Sequence, residues 1–134
     1  EEGGIIAAKA GNQAIMTPNS HLYFDYYQAK TGEPIAIGGL TSLDKVYSYE
    51  PVPKGLDINE ASRIMGAQGN VWTEYIKTPE KVEYMSIPRM TALSEIVWSK
   101  RKVRNFAEFK KRLNFYRFFL DKEKINYRKN DFIE

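Results

Sequence analysis

The sequence predicts an α/β fold built on parallel strands. Helical and strand-like patterns alternate along the chain, in the order helix, strand, long loop with a short helix, strand, helix, helix. Only two runs read as strands, QAIMTPN (13–19) and RIMGAQGNVW (63–72). Two parallel strands do not make a sheet that buries both faces, so the missing strands are expected in another part of the polypeptide or in another subunit.

Each element has a local reason. Residues IIAAKAG (5–11) are good helix formers stopped by Gly11, the usual residue just past a helix end. QAIMTPN is a brief apolar run broken by Pro18, a buried strand ending in a turn. An aromatic cluster, HLYFDYYQ (21–28), follows, and most turn signals lie between 29 and 63. Within that region TSLDKVYSY (41–49) starts a short helix, with Thr41 as its expected cap and Asp44 three residues on. RIMGAQGNVW is strand-like and glycine-rich. Thr78, Pro79 and Glu80 then combine a capping threonine, a proline at the first helical position and an acid in the first turn. Val82, Met85, Leu93, Ile96 and Val97 mark the predicted buried side of that helix, Trp98 closes its apolar pattern as a core residue, and Pro88 is expected to kink it. A last helix starts at Asn105 and carries Phe106, Phe109, Leu113, Tyr116 and Leu120 at helical spacing.

Composition narrows the chemistry. With 134 residues the chain has room for one domain, and 43% hydrophobic residues supply a core. The absence of cysteine excludes disulfides, thiolate metal sites and a cysteine nucleophile. A single histidine, His21, excludes a multi-histidine metal cluster and reads as a loop or capping residue, with Ser20 badly placed to form a nucleophile–base pair with it. No apolar run reaches membrane-span length, and the opening EEGGIIAAKA has neither the basic start nor the continuous apolar run of a signal peptide. The chain reads as cut from something longer. The net charge of +3 says nothing about a partner. The basic run KRKVRNFAEFKKR (100–112) reads as a solvated helix face, because no groove-reading motif accompanies it; a nucleic-acid or anionic-membrane surface is the alternative.

GNVWTEYI raises a more specific question. Trp72 and Glu74 are two apart at the end of a strand-like run, and residues at that spacing on a strand share a face. A carboxylate beside an indole matches the hydroxyl rim and apolar C–H face of a sugar, but many half-buried strands carry the same pair. Without context, Tyr23 and Asp25 likewise read as an ordinary turn. Tyr26, Tyr27, Tyr47 and Tyr49 read as loop packing, with one of them a possible lining of a pocket.

The runs MTPNSHLYFDYYQ, VYSYEPVP, GAQGNVWTEYI and YMSIPRMTALSEIVW, in this order and spacing, resemble the C-terminal part of the catalytic domain of family 20 glycoside hydrolases, the β-N-acetylhexosaminidases. The resemblance covers most of the chain. It implies a single partial domain from a (β/α)8 barrel: residues 1–98 would supply the last two βα units, with QAIMTPN and RIMGAQGNVW as the seventh and eighth strands, and residues 99–134 a C-terminal helix and tail. It also implies a substrate-assisted retaining mechanism, in which the substrate's acetamido oxygen is the nucleophile. Tyr23 would position the acetamide, Asp25 and Glu74 would accept sugar hydroxyls, and Trp72 would form a pocket wall. The Asp–Glu pair that supplies the general acid in the family lies upstream, and no Asp–Glu dipeptide occurs in these residues. The chain alone is therefore expected to be inactive. The resemblance further implies N-acetylhexosamine-containing glycans as partners, no cofactor or metal, a periplasmic or secreted parent, and self-association of an isolated barrel piece. A non-catalytic sugar-binding or structural module is the alternative reading.

Overall fold

A computed structural model describes residues 1–132. Helix α1 (Glu2–Lys9) leads into strand β1 (Ala14–Met16), followed by the single-turn helix α2 (Asn19–Leu22). After a long loop come α3 (Leu43–Tyr47), α4 (Ile58–Ala61) and strand β2 (Ile64–Ala67). Helices α5 (Pro79–Ser86), α6 (Arg89–Trp98) and α7 (Phe106–Lys122) follow, with short 3-10 turns at Arg101–Val103 and Lys129–Asp131. The fold is mixed α/β, and β1 and β2 are parallel.

The strands pair with Ala14 opposite Ile64 and then, after a shift of register, Ile15 opposite Gly66 and Met16 opposite Ala67. One face is buried through Met16 and Ile64, while Ile15 and Met65 stand exposed on the other. The second strand is shorter than RIMGAQGNVW predicts. Gly66 adopts φ +148 where the register slips, and beyond Ala67 regular pairing gives way to a single bridge between Tyr23 and Asn70. Trp72 and Glu74 therefore lie past the strand, in an irregular segment that turns at Glu74.

Several caps form as predicted. Thr78 accepts from the Lys81 amide with Pro79 at the first helical position, and Asn105 accepts from the Glu108 amide. Gly11 follows α1 with φ +87, the conformation expected just past a helix end. The α3 cap differs: Ser42 occupies it, without a side-chain hydrogen bond, and Thr41 is buried before the helix.

The Pro88 region is a break rather than a kink. The Ile87–Pro88 peptide is cis, Ile87 is extended, and α5 and α6 are separate helices. The helical phase restarts at Arg89, which corrects part of the predicted core. Arg89, Ala92, Leu93 and Ile96 form the buried side of α6. Trp98 lies nine residues from Arg89, about half a turn round the helix, and is 88% exposed. Val82 and Val97 are also exposed, whereas Met85 is buried. On α7, Phe109, Leu113 and Leu120 are buried, and Phe106 and Tyr116 sit at its margin.

Arg89 is the largest fully buried side chain among the described residues. Its Nη1 donates to the carbonyls of Thr41 (2.8 Å) and Tyr26 (3.2 Å), Nη2 donates to those of Phe24 and Met85, and Nε also reaches Met85. The guanidinium stacks over the Phe24 ring at 5.0 Å. Burial pushes its pKa down to about 9, against the favourable charges of Asp131, Glu33 and Asp25, so it remains a cation at neutral pH. A second polar tie joins α3, α6 and α7: Tyr47 donates to Glu95 at 2.6 Å, and Arg112 pairs with the same carboxylate.

Arg89→Met is expected to lower the unfolding free energy by about 3 to 5 kcal/mol, because it strips buried carbonyls of their donor. Urea unfolding checks this, and a loss below about 1 kcal/mol would contradict the tethering role. Trp98→Ala is expected to shift the same curve by less than about 0.5 kcal/mol; a core-sized loss there would contradict the exposed position.

Candidate functional site

The segments following the two strands are held side by side. Phe24 donates its amide to the Asn70 carbonyl at 2.7 Å, and Asn70 donates to the Leu22 carbonyl at 2.8 Å. This pairing carries Tyr23 and Asp25 past the end of β1 and brings them next to the segment that bears Trp72 and Glu74. Gly69 permits the approach, because a Cβ there would enter the Phe24 ring. Phe24 is itself held from below by Arg89.

The result is an open pocket of about 470 Å³. Tyr23, Asp25, Trp72 and Glu74, the four residues singled out in the sequence, all line it, together with Tyr26 and a rim made by residues 37–39. The Tyr23 and Trp72 rings lie 6.5 Å apart and those of Tyr23 and Tyr26 lie 5.5 Å apart, so one side is aromatic. The two carboxylates supply the polar side. Trp72 is 53% exposed, leaving a flat apolar surface open to a ligand.

Asp25 differs from Glu74 in its surroundings. It is 5% exposed, and its Oδ1 is buried with no hydrogen-bond partner among the described residues. Burial raises its pKa above the usual carboxylate range; Glu74 adds to the effect, while its own backbone amide and Arg89 oppose it. An orphaned buried acceptor beside an open pocket is an acceptor available to a ligand hydroxyl. Glu74 is exposed at the mouth.

Of Tyr26, Tyr27, Tyr47 and Tyr49, Tyr26 is the one that lines this pocket. Gly39 packs its backbone directly on that ring at φ +62, and a Cβ would collide with it. The rim of residues 37–39 and the supporting role of Arg89 were not foreseen. The Gly38–Gly39 pair was a signal for close backbone approach, whereas an arginine directly after a proline carried no mark of burial.

The other singled-out groups lie elsewhere. His21 stands in α2, with Nδ1 2.9 Å from Ser20 Oγ and its ring 5.3 Å from that of Tyr49, so the adjacent serine does reach the imidazole, but outside this pocket. In the basic run, Arg104 and Arg101 pair with Glu50, Lys111 with Glu108 and Arg112 with Glu95. Among the described residues there is no grouping of three or more metal-ligating side chains and no helix long and apolar enough to cross a membrane.

Comparison with known proteins gives a consistent set of relatives. Residues 1–101 match the profile of glycosyl hydrolase family 20, catalytic domain. A beta-hexosaminidase of Porphyromonas gingivalis is 43% identical over 129 residues, which is 95% of this chain and 17% of that protein. A beta-N-acetylhexosaminidase of Cellulomonas fimi is 29% identical over 119 residues, 88% of this chain and 24% of that protein. The crystal structure of a GH20 exo beta-N-acetylglucosaminidase from Vibrio harveyi, in complex with N-acetylglucosamine, superposes with a TM-score of 0.86 at 30% identity, over 96% of this chain and 20% of that one. The chain thus spans a minor part of each relative's length. With three quarters of its residues under the family profile and the same fold in the solved relative, the chain belongs to glycosyl hydrolase family 20.

Proposed function

We propose that this chain is the C-terminal part of the (β/α)8 catalytic barrel of a β-N-acetylhexosaminidase, and that its pocket holds the terminal N-acetylhexosamine of a glycan. The observation that carries the reading is the convergence of Tyr23, Asp25, Trp72 and Glu74 on one pocket beyond the C-terminal ends of two parallel strands. Ligands of such barrels bind at that end. β1 and β2 then correspond to the seventh and eighth strands, the exposed Ile15 and Met65 face the barrel interior, and residues 99–134 form the C-terminal helix and tail. That the Porphyromonas relative extends far beyond the matched part supports placing the remaining strands in the rest of a parent protein.

Each side chain has a chemical task in this reading. The Tyr23 phenol donates to the acetamido oxygen and holds it near the anomeric carbon, which converts an encounter into an intramolecular attack. The acetamido oxygen forms the new bond to that carbon as the glycosidic C–O bond breaks, and the leaving oxygen takes its proton from an acid upstream of this chain. Asp25 and Glu74 accept from ring hydroxyls, and charge-assisted bonds of that kind are stronger than neutral ones. Trp72 covers an apolar face of the sugar. The chain alone supplies binding without the proton donor.

Calorimetric titration of the 134-residue chain with N-acetylglucosamine is expected to give weak, millimolar binding, and no turnover of a chromogenic N-acetylglucosaminide. Glu74→Gln and Trp72→Ala are each expected to weaken that binding by about tenfold, the equivalent of about 1.4 kcal/mol. Absence of heat at millimolar sugar, or hydrolysis by the chain alone, would overturn the assignment.

Binding should also depend on pH through Asp25. Its folded pKa is raised, so the unliganded fold gains stability as pH falls through that pKa and Asp25 takes up a proton. A sugar hydroxyl that donates to the carboxylate prefers the ionised form, so affinity is expected to fall over the same acidic range. Asp25→Asn should flatten that step in the titration; an unchanged pH profile would remove Asp25 from the contact.

A further inference from the structure

We propose that the C-terminal tail sets the position of the pocket's rim, with Arg128 as the positioning residue. The inference rests on the sugar-binding reading of the pocket. Residues 37–39 reach the pocket from a loop without regular structure that runs from Tyr27 to Leu40, two residues that bridge each other. Between those ends the loop has one buried carboxylate, Glu33, four residues before the rim. Arg128, ninety-five residues away in sequence, donates through Nε to Glu33 Oε1 at 2.7 Å. The two side chains are 7% and 3% exposed. Tyr84 donates to the other Glu33 oxygen at 3.1 Å, and Arg128 Nη1 pairs with Asp131 at 2.6 Å.

The tail is itself fixed to the body of the fold. The Arg128 amide donates to the Ile87 carbonyl at 3.1 Å, and Asn126 bonds both the Glu83 carboxylate and the Glu80 carbonyl on α5. A charge buried to this degree cannot be left without its partner, so Glu33 and Arg128 hold together or not at all. Arginine suits the task because its rigid fork reaches two carboxylates at once. This clamp comes from beyond residue 101, where the family profile ends. A segment beyond the profile match thus bears on the shape of the sugar pocket.

The test uses the 134-residue chain, the variant Arg128→Lys and the double variant Glu33→Gln with Arg128→Gln, which removes both charges of the Glu33–Arg128 pair. Two quantities are read: 15N order parameters of residues 37–39 without sugar, and the Kd for N-acetylglucosamine. In the wild type the rim should be rigid, with order parameters near ~0.85, falling below ~0.6 in the double variant while α7 stays unchanged. The Kd should rise about tenfold in the double variant and about threefold in Arg128→Lys, which keeps the charge but loses the fork. Rim order parameters at wild-type values in a folded variant would overturn the proposal, as would a loosened rim with unchanged Kd. Should the double variant not fold, Arg128→Lys decides by the same two criteria. Failure of the wild type to bind sugar would count against the pocket assignment, while the order parameters still report whether the clamp holds the rim.

Discussion

Backbone carbonyls removed from water must find a donor, and in this fold four of them, from three separate segments, share one. The Arg89 guanidinium serves Phe24, Tyr26, Thr41 and Met85. Phe24 and Tyr26 flank Asp25, so the group that satisfies the buried backbone also fixes the segment carrying Tyr23 and Asp25 to the pocket. Asp25 keeps a free acceptor because the arginine is occupied by carbonyls rather than paired with it. A leucine in the place of Arg89 would fill space but leave those carbonyls with no partner.

From that tether outward, the pocket is assembled in layers. Parallel pairing of the segments beyond the strands brings Tyr23 beside Asn70, and Gly69 lets the Phe24 ring pass close underneath. The aromatic side then follows from chain order, with Trp72 two residues past the bridge. The opposite rim comes from a loop with little structure of its own, supported by Gly39 against Tyr26 and by a buried ion pair to the tail. Segments just past the paired strands thus carry the carboxylates and aromatic rings, and long-range polar contacts position the loop. Family 20 membership gives this arrangement a chemical setting, since the matched region lies within the catalytic domain.

What was legible in the sequence depended on whether a signal was local. Capping threonine, proline and asparagine announced the starts of α5 and α7, because caps act through hydrogen bonds within one turn. The parallel strands were legible as apolar runs, although Gly66 and the register slip shortened the second. Trp98 was misread because the apolar pattern was carried across residues 87–88, where the helix phase in fact restarts. Thr41 was misread as a cap because its short-range pattern resembles one, while its position is fixed by Arg89 from another part of the chain. The four pocket residues were legible chiefly through motif resemblance; periodicity alone left Trp72 and Glu74 open to a bland reading. Arg89 and Arg128 were not legible, since the contacts that give them their roles, with Phe24, Tyr26 and Thr41 for the one and Glu33 for the other, lie dozens of residues away.

The most direct measurement is a crystal structure of the chain soaked with N-acetylglucosamine. The sugar is predicted to lie against Trp72, with its acetamido oxygen within hydrogen-bond reach of the Tyr23 hydroxyl and ring hydroxyls directed at Asp25 and Glu74. Sugar bound elsewhere, or seated in this pocket with its acetamide turned away from Tyr23, would contradict the assignment.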